Sequence, residues 1–281
     1  MNCIQQQIRK LNNKIMNRTI LTTVFGALLI LLISCNKQKE LKNGEGFVAV
    51  TGGKIWYRVS GQGNKTPILL LHGGPGYPSH YLNALSPLGK DRKIITYDQL
   101  GCGRSDAITD TTLMTIDNHI EQINKLITSL GISEIHLFGH SWGSMLGLDY
   151  YIKNPKGIKS LILASPCLSI KRWENDSDTL ISMLPDSTQT VLRNNIKGIE
   201  QDSLLLAEAV GTYWTMFYAR KQPTSADFDS SASQVGWNVY SYMWGPNDFF
   251  VAGTLKNYDS EKYLGTIKVP TLYIAGEYDP A

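Results

Sequence analysis

The chain has 281 residues, 42% of them hydrophobic and 18% charged, an ordinary globular composition sufficient for one large domain or a domain with an insertion. Lys and Arg number 27 against 24 Asp and Glu, a formal net charge of +3, and part of the surplus lies at the N-terminus in Arg9, Lys10, Lys14 and Arg18. So weak and end-loaded a balance gives no case for a nucleic-acid partner, and neither an internal repeat nor a low-complexity tract points to an array or a disordered protein.

Residues 1–35 have the pattern of a targeting segment: a basic, polar stretch, then a weakly polar-to-apolar run from Ile20 to Ile33. The run is short for a bilayer span, which needs about 20 apolar residues, and suits a signal-peptide core. It ends in Leu32-Ile33-Ser34-Cys35, which resembles the lipobox of bacterial lipoproteins, where cleavage precedes the Cys and that Cys carries lipid. The resemblance implies lipidation of Cys35, a tether over residues 36–45, and a protein held to a membrane in the cell envelope; an uncleaved membrane anchor is the alternative. Met16-Asn17-Arg18 offers a second, shorter basic start. Beyond the targeting segment only Cys102 and Cys167 remain, too few for a disulfide framework, and no Cys/His spacing resembles a metal site. Neither a metal nor a cofactor is expected.

Phe47–Val50 and Ile55–Val59 flank Gly52-Gly53 and predict a β-hairpin, because paired glycines supply the positive φ of a tight turn. Five short, solidly apolar runs follow: Pro67–Leu71, Ile94–Tyr97, Ile135–Phe138, Leu161–Ala164 and Thr271–Ala275. Runs without alternation suit strands buried on both faces of a parallel sheet. Between them, Ile116, Ile120, Ile123, Ile127 and Leu130 share one helical face that Gly131 closes, and a second helix is expected from Ser141 to Asn154, where Pro155 stops it. The alternation predicts an α/β protein with a mostly parallel, doubly wound sheet. It is interrupted after Ser165-Pro166 by an aromatic, helical stretch, so the expected organisation is a core over 46–165, an inserted helical cap over 166–258, and a second core part over 259–281.

Gly139-His140-Ser141-Trp142-Gly143 stands directly after one apolar strand and directly before one helix. In that context G-x-S-x-G is a nucleophile elbow: the turn is so sharp that Gly139 and Gly143 must be small, and Ser141 Oγ is held out above the sheet beside a helix N-terminus. A second strand runs into His72-Gly73-Gly74-Pro75-Gly76, whose glycines let backbone approach a substrate oxygen; the expected oxyanion donors are the N–H groups of Gly74 and Trp142. His72 is expected to hold that loop in shape. The last strand leads through Gly276 to Asp279, an acid at the strand edge where ligands gather in open α/β sheets. Serine followed by acid is the chain order of an α/β-hydrolase triad.

His72-Gly73-Gly74-Pro75-Gly76, Tyr97-Asp98-Gln99-Leu100-Gly101-Cys102-Gly103-Arg104-Ser105-Asp106, Gly139-His140-Ser141-Trp142-Gly143 and Gly245-Pro246-Asn247-Asp248-Phe249 together resemble the proline iminopeptidases, over roughly residues 47–281. The resemblance implies an α/β-hydrolase fold and removal of an N-terminal residue, often proline, from short peptides by acyl transfer. It also implies an acidic site for the substrate ammonium. Here Asp248 stands where the family's cap motif has Glu, and Pro280 where a second Glu follows the catalytic Asp, so ammonium binding would rest mainly on Asp248. All five histidines, His72, His80, His119, His136 and His140, precede Asp279, so the catalytic base expected after it is missing. The simplest explanation is a fragment of a longer product, and the 281 residues are expected to be nearly inactive by themselves, since loss of a triad His costs about a million-fold in kcat. Two alternatives remain open from sequence: another serine hydrolase acting on esters, lactones or amides, and a non-catalytic envelope lipoprotein.

Overall fold

The structure is a computed structural model that describes Arg9, residues 41–221 and 225–277, and Asp279. The expected signal peptide over residues 1–35, with Cys35, lies outside the described residues apart from Arg9. Among the described residues no helix is long and apolar enough to cross a membrane.

Among the described residues seven strands form one sheet: β1 (Gly44–Val50), β2 (Gly53–Gly61), β3 (Lys65–Leu71), β4 (Arg92–Tyr97), β5 (Ile135–His140), β6 (Ile158–Ala164) and β7 (Thr271–Ile274), in the order β1-β2-β4-β3-β5-β6-β7. β1 and β2 are antiparallel, as is the β2–β4 pair, whereas β3, β4, β5, β6 and β7 run parallel. The expected hairpin is therefore present, with Gly52 at φ 99° in its turn. The parallel strands are apolar because helices pack on them: Leu69, Leu70, Leu71, Ile95 and Leu137 are all fully buried.

β7 is the exception. Its run is as apolar as the others, but Leu272, Tyr273 and Ile274 are 54%, 50% and 45% exposed. Among the described residues it pairs with β6, at the edge of the sheet. An apolar run reports that a strand could be covered, not which neighbours cover it.

Helix α1 (Ile116–Leu130) buries Ile120, Ile123 and Leu126; Thr115 caps its N-terminus, and Gly131 closes it at φ 67°. Helix α2 (Trp142–Lys153) begins one residue after the elbow serine and is buried along most of its length. Between β6 and β7 lie α3 (Ile170–Ile181), α4 (Asp186–Ile196), α5 (Ser203–Phe217), α6 (Ala226–Ser233) and α7 (Trp237–Met243). Their own small core gathers Ile181, Leu184, Leu192, Ala209, Tyr213 and Phe249.

Candidate active site

Ser141 sits between β5 and α2 with φ 53° and ψ −123°, a backbone conformation that side-chain-bearing residues seldom adopt. The geometry of its neighbours explains how this is imposed. A Cβ on Gly139 would collide with the Gly143 carbonyl, and one on Gly143 would collide with the Leu71 carbonyl at the end of β3. The Ser141 N–H is held by the Ala164 carbonyl at 2.9 Å, and Ser144 Oγ donates to the carbonyls of Gly139 (2.8 Å) and Ala164 (3.1 Å). Ser144 was not singled out by sequence, because a buried serine one helical turn into α2 has no signature apart from its neighbours.

The glycine turn after β3 lies against this elbow. A Cβ built on Gly73 would come within 3.4 Å of Ser141 Cβ. Gly74 has φ 115°, where a Cβ would press on the backbone of Gly76 and Tyr77, so glycine is required. Trp142 contributes the first N–H of α2, one of the donors that a helix leaves without an intrahelical acceptor. Its indole is fully buried, edge-on to His119 at 5.5 Å, and donates to Gln99 Oε1 at 2.8 Å.

Gln99 is the hub that sequence reading left within a motif. Its backbone N–H donates to His72 Nε2 (2.9 Å) and its Nε2 donates to the His72 carbonyl (3.2 Å), so one residue ties the glycine turn to the start of α2. His72 completes the brace by pairing Nδ1 with the Gly73 carbonyl at 2.9 Å. Burial lowers the proton affinity of His72, with the Asp98 charge opposing, which suits a neutral ring accepting at Nε2. The signal for Gln99 was its place just after β4, at the sheet edge where sites assemble. Asp98 beside it is fully buried: burial alone would raise its pKa, but hydrogen bonds and charge from Arg104 outweigh that and hold it low. Arg104 Nε donates to Asp98 Oδ2 at 2.7 Å, and its guanidinium lies over the Trp56 ring.

Asp279 lies beyond β7, where Ser165 Oγ donates to its Oδ2 and the Gly276 N–H reaches the same oxygen at 3.4 Å. Ser165 follows β6, and its N–H donates to the Ile274 carbonyl at 2.7 Å. In register, His140, Ala164 and Ile274 pair in line, with Ser141 just after β5, Ser165 just after β6 and the acid on the chain leaving β7.

Asp248 lies apart from these groups in the inserted segment. Tyr240 donates to its Oδ1, while its carbonyl accepts from Trp173 Nε1 at 2.8 Å. Burial raises the pKa of the Asp248 carboxyl, with the Tyr240 bond opposing. Helix α7, which carries Tyr240, is tied to the glycine turn through Gly236 N–H donating to Gly76 O at 2.9 Å.

The histidines have other partners. His119 Nδ1 bonds the Thr115 carbonyl (2.8 Å), His136 Nδ1 meets Ser160 Oγ (2.7 Å), and His140 Nδ1 meets Tyr81 Oη (2.8 Å). His80 lies within the influence of Arg104, Asp98, Gln234 and Asp227. Among the described residues no group of three or more His, Cys, Asp or Glu could hold a metal ion.

A strained serine between a parallel strand and a helix, at the C-terminal edge of such a sheet, defines a hydrolase of the α/β type, and residues 66–281 match the family model described as alpha/beta hydrolase fold. The proline iminopeptidase of Heyndrickxia coagulans is 39% identical over 240 residues, covering 84% of this chain and 83% of that protein. That of Clostridium botulinum is 35% identical over 244 residues, covering 85% and 83%. The crystal structure of the Mycobacterium smegmatis proline iminopeptidase matches with a TM-score of 0.77 at 30% identity, over 85% of this chain and 83% of that one. This chain belongs to the proline iminopeptidase family of α/β-hydrolases.

Proposed function

We propose that the protein is a serine exopeptidase that releases the N-terminal residue, preferably proline, from short peptides through an acyl-enzyme. The observation that carries this reading is the elbow itself: Ser141 at φ 53°, beside a glycine turn where even a methyl side chain at Gly73 would touch the serine Cβ. Ser141 is the nucleophile. The N–H groups of Gly74 and Trp142 receive the oxyanion, where loss of one donor costs about 10²–10³ in kcat. Asp279 orients the imidazole that takes the serine proton. β5 and β7 flank β6, so their ends stand about 10 Å apart at the usual strand spacing, enough for a ring between serine and acid. The histidines at positions 72, 119, 136 and 140 have their Nδ1 atoms bonded to groups other than Ser141 or Asp279.

Asp248 supplies the exopeptidase character. A carboxylate held among Tyr240, Trp173 and Tyr218 is poorly solvated, and a substrate ammonium both neutralises it and meets aromatic faces. Proline p-nitroanilide is therefore expected to be cleaved faster than its N-acetylated form, with both activities lost in Ser141→Ala. Equal cleavage of the two would reduce the reading to a broader amidase or esterase.

Lipid on Cys35 and retention in the cell envelope form the second part of the proposal, motivated by Leu32-Ile33-Ser34-Cys35 after an apolar run. Metabolic labelling with a fatty acid is expected to mark the protein and to disappear in Cys35→Ala; equal labelling of both forms would remove Cys35 as the anchor.

A further inference from the structure

The geometry points to Tyr81 as a positioning residue of this active site: its hydroxyl bridges the glycine turn to the residue preceding the nucleophile and holds His140 as the Nε2–H tautomer. The inference rests on the serine-hydrolase reading of Ser141.

Tyr81 lies on the helical stretch Ser79–Lys90 and sends its phenol between the backbone of the glycine turn after β3 and the His140 ring at the end of β5. The Gly73 N–H donates to Tyr81 Oη at 2.9 Å. An amide can only donate, so this contact uses an oxygen lone pair and leaves the phenolic proton to find its own acceptor. His140 Nδ1, 2.8 Å away, is that acceptor, and the imidazole proton is thereby placed on Nε2. The rings pack edge to face with centroids 5.3 Å apart.

The consequence is positional. Gly74 follows Gly73 by one peptide, and Ser141 follows His140 by one. A single hydroxyl therefore couples the turn bearing one oxyanion donor to the elbow bearing the nucleophile, and it withdraws the Gly73 N–H from the site so that Gly74 is left to donate. Preorganised donors contribute to catalysis only when they are already aimed at the developing charge. Tyr81 is itself anchored from the inserted segment: its N–H donates to Ser231 Oγ at 3.0 Å, and that hydroxyl donates to the Pro78 carbonyl at 2.8 Å.

The bridge is also pH-sensitive. Among the described residues the titratable groups that face His140 are Tyr81, His72 just after β3, and Asp279 beyond β7. Burial lowers the His140 pKa and Asp279 opposes. A second proton would have to enter at Nδ1, where the Tyr81 proton already points, so the bridge opens as pH falls through the His140 pKa.

Tyr81→Phe keeps the ring and deletes only the bridge. Nitrogen-15 NMR of the histidines is expected to show His140 as the Nε2–H form in the unsubstituted protein and a higher His140 titration midpoint in the variant, because a bond to the neutral form is gone. The Gly73 amide is expected to exchange faster. On proline p-nitroanilide, kcat is expected to fall about 10–100-fold with KM within twofold, and its acid limb to move to higher pH. An Nδ1–H tautomer, or an unchanged His140 midpoint, overturns the inference, as does a rise in KM with kcat intact. Absence of turnover in the unsubstituted protein would count against the peptidase reading alone, and the two NMR signals would still decide the bridge.

Discussion

At Ser141 the backbone is held in a conformation that costs on the order of 1–3 kcal/mol for a residue with a side chain, and its surroundings keep it there. Gly139 and Gly143 are where that constraint is most exposed to test. A methyl at position 143 would meet the carbonyl oxygens of both Leu71 and His72, so α2 would have to retreat from the end of β3. Gly143→Ala is expected to destabilise the fold by about 1–3 kcal/mol, seen as a lower thermal midpoint, and to slow acylation of Ser141. A variant that melts with the parent would mean that helix and strand do not approach so closely. The glycines of the elbow were legible in sequence because a motif of small residues at fixed spacing is a local signal. Gln99, Ser144, Ser165 and Tyr81 were not, because each acts through a partner brought to it by another strand or helix: Gln99 reaches Trp142 across 43 positions, and Ser165 reaches Asp279 across 114.

Among the elements, α1 shows what periodicity can and cannot report. Its apolar positions, its start after Thr115 and its end at Gly131 all follow from local rules of spacing and capping. The strands were equally plain, since each is a compact apolar run between turn residues. The stretch Ser79–Lys90 was not assigned by pattern: it contains Pro87, winds tightly, and buries only Ser79, Leu82 and Gly89. Yet it carries Tyr81 to the active site. The inserted segment is a similar case. Its aromatic richness marked it as distinct, but its division into five helices depends on packing among Tyr213, Phe249, Leu192 and Ile181. For β7, the apolar run marked a strand, and its place at the sheet edge goes with the exposure of its side chains among the described residues.

Over the whole molecule, the buried imidazoles set how the fold responds to acid. His119 is 2% exposed, pairs Nδ1 with the Thr115 carbonyl, and burial lowers its pKa from 6.5 to about 4. Its folded pKa lies below its unfolded one, so the unfolded chain binds the proton first. Stability from this group is complete above pH 6.5, is lost as pH falls from 6.5 towards 4, and levels off below; the span corresponds to about 3 kcal/mol. Unfolding free energies from denaturant titrations at pH 7.5 and 4.5 are expected to differ by about 2.5 kcal/mol less in His119→Asn than in the parent. An equal difference in both proteins would place the acid sensitivity elsewhere.

What the sequence determined by itself was whatever is encoded within a few neighbouring residues: strand and helix periods, caps, the glycine turn, and the serine elbow with its family resemblance. Those signals are local, because backbone preference and capping act over one or two turns. Only the tertiary structure decided which groups meet: Gln99 with His72 and Trp142, Tyr81 with Gly73 and His140, and Asp279 with Ser165. Contacts of that kind depend on strand order and register, which bring distant residues to one edge of the sheet and leave no period or spacing in the chain.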